Sequence, residues 1–118
     1  ILPTLMQLTG KPIPAQTEGK PLPGLGGVED FERSTFTIEA KTNPAIAPLK
    51  KATVAMKKGS HKLIYYTGYE AEDSFELYDL EADIEELRDL YPAKPAIAGK
   101  MREELLENLL AADKPYIK

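Results

Sequence analysis

The sequence predicts an α+β domain: a four-stranded antiparallel sheet packed by a long C-terminal helix, after a short N-terminal helix and a Pro/Gly-rich loop. Three observations carry that prediction. Between residues 34 and 78, short β-branched and aromatic runs alternate with a period of two. Turn residues such as Lys58-Gly59-Ser60 punctuate them. Beyond Pro95, apolar residues recur at helical spacing for almost five turns.

The chain opens with ILPTLMQLTG, in which Leu2, Leu5, Met6 and Leu8 nearly fill one helical stripe. Pro3 falls where a first turn tolerates proline, and Gly10 is a natural stop. So short and apolar a helix is not stable alone and needs a partner surface. Residues 11 to 30 are rich in Pro and Gly, which interrupt any regular element, including Pro12, Pro14, Pro21, Pro23, Gly24, Gly26 and Gly27, and read as a linker or surface-hugging loop. The division expected is therefore 1–30, helix and linker, and 31–118, sheet and helix. Gly24-Leu25-Gly26-Gly27 lacks the preceding strand, the following helix and the Lys-Ser/Thr of a phosphate loop.

Ser34–Ala40 is the first strand, with Phe36 and Ile38 turned to the core and Thr35, Thr37 and Glu39 to water. Lys41–Leu49 holds Pro44 and Pro48 and is a connection. Lys51–Lys57 is the second strand, with Val54 and Met56 inward, and Lys62–Tyr66 the third, so these two form a hairpin. A polar turn, Thr67–Ser74, leads to the fourth strand, Phe75–Tyr78, with Phe75 and Leu77 on one face. Asp83 reads as the N-cap of a short helix, with Glu86 three residues on completing a capping box. Residues 92–95 (PAKP) break the chain. Ala96–Ala112 is the last helix; Ile97, Met101, Leu105 and Leu109 form its stripe, widened by Leu106 and Leu110. Leu105 is expected to meet Leu77 at the sheet–helix interface.

The 118 residues suffice for a single core. No apolar run approaches the ~20 residues that span a bilayer, so no membrane partner is expected. A net charge of −4 argues against nucleic acid. The absence of cysteine excludes disulfides and a cysteine nucleophile and leaves the compartment open.

Few residues suggest chemistry. His61, the one histidine, reads as a solvated turn residue flanked by lysines. Lys57, Lys58 and Lys62 lie near it at one end of the hairpin, and these four are the candidate substrate-rim residues, suited to an anion. The acidic residues from Glu70 to Glu86 lack the loop grammar of a calcium site and read as a solvated face. Tyr65, Tyr66, Tyr69 and Tyr78 read as sheet packing with wet hydroxyls rather than a sugar platform. No catalytic, cofactor-binding or metal residue is assigned.

Three stretches taken together carry a family resemblance. Lys62-Leu63-Ile64-Tyr65-Tyr66, then Glu76-Leu77-Tyr78-Asp79-Leu80, then Asp83-x-x-Glu86-x-x-x-Leu90 resembles the end of sulfatase-family enzymes in order and spacing. Ile84 departs from that family's usual proline, and Asp89 from its asparagine. Pro3-Thr4-Leu5-Met6-Gln7-Leu8-Thr9-Gly10, followed by Ile13-Pro14 and Gly19-Lys20-Pro21-Leu22, is similar to the helix, loop and turn that precede that end. The resemblance implies a C-terminal, non-catalytic portion that supports a catalytic domain and lines the rim of its cleft. The parent would hydrolyse sulfate esters with calcium and a formylglycine made from a Cys/Ser-x-Pro-x-Arg motif. Neither that motif nor the calcium ligands have a counterpart here, so the chain alone is expected to be inactive. Its expected partners are the parent's catalytic domain and, through Ile1–Leu8, a second copy of the chain. Two other readings stay open: a free-standing α+β interaction or binding module, and the same end of a related phosphodiesterase or phosphonate hydrolase.

Overall fold

A computed structural model describes residues 1–41 and 49–113. The expected connection at residues 41–49 lies almost wholly outside the described residues. The described elements are α1 (Leu2–Leu8), β1 (Thr35–Ala40), β2 (Ala52–Lys58), β3 (His61–Thr67), β4 (Ser74–Asp79) and α2 (Pro95–Asp113). The four strands form one antiparallel meander in the order β1-β2-β3-β4. The α+β prediction describes this architecture.

Two compact units make up the chain, Ile1–Phe31 and Glu32–Lys118. In the first, α1 ends in a Schellman motif: Lys11 N–H donates to Met6 C=O at 2.9 Å and Gly10 N–H to Gln7 C=O at 3.1 Å. Gly10 takes the left-handed φ of 67° that this cap requires. The Pro/Gly stretch does not behave as a free linker. Leu22 N–H donates to the Thr4 hydroxyl at 2.9 Å, and the Gln7 amide donates to Gly26 C=O at 2.9 Å. Pro3 and Thr4 are buried. Leu2, Leu5 and Leu8 of the expected stripe are at least half exposed instead, because the loop covers the neighbouring face of the helix.

In the second unit, strand register sorts the side chains. Ala52, Val54, Met56, Leu63, Tyr65, Phe75 and Leu77 share one face with α2, and Val54, Met56, Leu63, Leu77 and Leu105 are essentially inaccessible. Leu77 and Leu105 belong to the same core, as the sequence predicts. Leu110 does not widen the stripe: it is 71% exposed, because the helix rotates Ala98, Met101 and Leu105 onto the sheet. Phe75 stacks between Tyr65 at 4.7 Å and Tyr91 at 5.5 Å and closes the core near β4. Gly68 (φ 73°) makes the β3–β4 turn possible; a Cβ there would lie 1.8 Å from the Lys50 carbonyl oxygen.

Three expectations need correction. β1 is not buried on either face: Phe36 and Ile38 do turn to the α2 side, opposite Met56 and Val54, but all six residues stay exposed because the strand stands at the sheet edge. The short helix after Asp83 is absent. Asp83 does cap N–H groups, those of Leu87 and Arg88, but Glu86 has φ 56°, which ends any helical run after one turn. Glu86 also points to Lys62 rather than back to Asp83. His61 is not a solvated turn residue. It begins β3, and its Nε2 is buried without a hydrogen-bond partner among the described residues.

Candidate functional site

The candidate rim residues occupy the β2–β3 hairpin, but strand alternation divides them. Lys58 and His61 face α2, while Lys57 and Lys62 lie opposite each other on the second face. Carboxylates answer most of this charge. Lys58 Nζ donates to Glu104 Oε2 on α2 at 2.8 Å, and the Ser34 hydroxyl donates to Glu104 Oε1. Those two bonds hold the Glu104 carboxyl below its ordinary range, and the Glu104 bond raises Lys58. Lys62 Nζ reaches both oxygens of Glu86 at 2.8 Å. His61 Nε2 lies 3.9 Å from Asp79 Oδ2, with Ser60 Oγ 3.3 Å from its Nδ1. Burial alone would raise Asp79; backbone N–H groups of Glu81 and Ala82, the His61 charge and the Ser60 hydroxyl hold it low instead. Lys57 remains as an exposed cation with no ion pair among the described residues. The hairpin end is thus a set of internal ties rather than one converging cationic patch.

The second face holds a cluster that sequence reasoning missed. Glu76 accepts hydrogen bonds from the hydroxyls of Tyr66 at 2.9 Å and Tyr78 at 3.1 Å. Burial, then these bonds to Glu76, push both phenols up to about 12. On the helix face Tyr65 donates to Asp73 at 2.5 Å; burial raises Tyr65, and the bond lowers Asp73. Beside the Tyr66 cluster is a shallow hollow of about 280 Å³ lined by Thr53, Tyr66, Tyr69, Glu70, Glu72 and Ser74. Lys51 caps the Tyr69 ring at 4.2 Å. The signal for the clasp was present: Tyr66, Glu76 and Tyr78 fall on one face once the β3–β4 register is fixed.

Among the described residues, no three His, Cys, Asp or Glu side chains come together to hold a metal ion. Of the acidic residues between 70 and 86, Asp73, Glu76, Asp83 and Glu86 bind tyrosine hydroxyls, a lysine and backbone N–H groups. The sequence holds no Cys/Ser-x-Pro-x-Arg run from which formylglycine could form. Among the described residues, no helix is long and apolar enough to cross a membrane.

No protein-family model and no curated protein matches the chain. Solved structures do. One, from Bacteroides thetaiotaomicron and assigned as a sulfatase, superposes with a TM-score of 0.70 at 24% identity. Another, solved in complex with its substrate D-glucosamine-2-N,6-O-disulfate, superposes with a TM-score of 0.58 at 24% identity. Each match covers 97% of this chain, but 24% of the first protein and 23% of the second. This chain has the fold of a segment that makes up about a quarter of each of these two longer proteins.

Proposed function

We propose that the chain is the C-terminal, non-catalytic portion of a sulfatase-like hydrolase and buttresses its catalytic domain. The observation that carries this reading is the asymmetry of coverage: nearly all of this chain matches about a quarter of each longer protein. The three motif stretches of the sequence support it. In this reading calcium and formylglycine belong to the rest of the parent, which hydrolyses sulfate esters. The half-exposed leucines of α1, Leu2, Leu5 and Leu8, form the surface that meets the catalytic domain. Lys57 is the hairpin residue best placed to serve a cleft rim, being exposed and unpaired among the described residues.

The encoding gene provides the test. A Cys/Ser-x-Pro-x-Arg motif in frame upstream of Ile1, in a protein that hydrolyses aryl sulfates with calcium, is the expected result. The 118-residue chain assayed alone should give no turnover at any calcium concentration. A start codon immediately before Ile1, or metal-dependent turnover by the chain alone, overturns the proposal.

A further inference from the structure

The two edges of the sheet are finished differently. At β4, Leu77 N–H donates to Asp89 Oδ1 at 2.9 Å and Leu90 N–H donates to Leu77 C=O at 2.7 Å, so the segment after the strand seals that edge. At β1, among the described residues, no backbone hydrogen bond arrives from any element but β2. The strand is Thr-Phe-Thr-Ile-Glu-Ala, without proline, lysine or glycine, and every residue is exposed. Natural edge strands guard against pairing with another chain by charged side chains, lysine above all, by proline or by a bulge; of these β1 carries Glu39 alone. Beside it runs an apolar groove of about 200 Å³ lined by Phe36, Ile38, Val54, Leu105 and Leu109.

We propose that β1 is a docking edge for a second copy of this chain, the two β1 strands pairing antiparallel about a two-fold axis at Thr37. The strand's own pattern selects this occupant. A two-fold axis normal to the sheet pairs residues on the same face, and centring it on Thr37 sets Phe36 against Ile38 twice. Thr35 then opposes Glu39 twice, so the one charge in the strand never meets its like. Centring on Ile38 instead would set Phe36 against Ala40 and keep one large apolar pair, Ile38 with itself, where the Thr37 register makes two. In the Thr37 register the two apolar grooves meet around the Phe36–Ile38 pairs and both α2 helices lie on one side of a continuous eight-stranded sheet. One strand edge and part of a groove bury less than the ~1,200 Å² of a standard interface, so the association is weak.

Sedimentation velocity of the whole 118-residue chain from about 10 µM to about 1 mM tests it. The expected result is a rise toward twice the 13.1 kDa monomer mass. Thr37→Lys places like charges on the axis and should weaken association roughly tenfold or more; Thr37→Glu should do the same. Mixing the two variants should restore a heterodimer, which also shows that neither substitution unfolds the strand. Leu5→Ser and Leu8→Ser, which alter the separate apolar face of α1, should leave association unchanged. A monomer throughout, association lost with the leucines but not at residue 37, or a mixture that stays monomeric overturns the proposal.

Discussion

The β1 edge and the β4 edge belong to one sheet, share one helix and are built on different principles. The β4 edge is closed by local chain: Asp89, twelve residues beyond Leu77, accepts its N–H and also that of Tyr91 at 2.8 Å. The β1 edge is held from behind. Ser34 just before it reaches Glu104 of α2, which also pairs with Lys58. Closure by backbone satisfies hydrogen bonds and forbids pairing; tethering by side chains positions a strand and leaves its outer edge unpaired. The difference teaches that a core residue, an edge residue and a tether should fail in distinguishable ways.

The largest expected effect comes from the floor that both edges share. Leu105 is fully buried in the core it shares with Leu77 and also lines the groove behind β1. Leu105→Ala should cost roughly 2–5 kcal/mol, seen as a lower urea midpoint with little change in slope. A loss within experimental error would mean that α2 does not anchor the sheet.

A smaller effect separates the edges. Asp89→Ala orphans the N–H groups of Leu77 and Tyr91 and should cost about 1–3 kcal/mol. Amide exchange at Leu77 should accelerate more than the global stability loss explains, while exchange in β1 stays as it was. Equal acceleration at both edges would mean that the two are closed alike.

The smallest effect concerns the tether and depends on pH. Glu104 has a depressed carboxyl pKa in the fold, so its contribution is present above the ordinary value of 4.5 and is lost as pH falls through the lowered one. Lys58 is raised above 10.5, so its contribution is present below that value and fades as pH rises through the shifted one. Glu104→Gln should therefore reduce stability modestly at neutral pH and flatten the acid side of the melting-temperature profile. An unchanged acid limb would show that the tether adds nothing.

Much of the sheet was legible because its signals are local. Buried Val54 and Met56 alternate with the half-buried Thr53 and Ala55 and the exposed Lys57, and the Gly59 turn fixes the hairpin. Helix α2 was legible from Met101 and Leu105, four residues apart, but its rotation was not: Leu110 and Leu106 look equivalent until the sheet chooses between them. The stretch from Asp83 misled because an Asp followed three residues later by Glu suits a capped turn as well as a capped helix. Ile84 and Leu87 in it are 83% and 79% exposed and give a helix no face to bury. The hairpin lysines were misread as one group because their partners lie far along the chain, Glu86 from Lys62 by 24 residues and Glu104 from Lys58 by 46. No local pattern encodes such a pairing.

The Tyr66–Glu76–Tyr78 clasp has an optical consequence. The chain has no tryptophan, so six tyrosines supply the bulk of its near-ultraviolet absorbance. Two of them hold their protons to about 12 while the fold stands, against 10 for a free phenol. Between those values the unfolded chain releases protons that the folded chain keeps, and so stability drains away as pH climbs. In a spectrophotometric titration these two phenolates should appear late and together with unfolding. The second face of the sheet thereby carries its own chromophore, readable without any label.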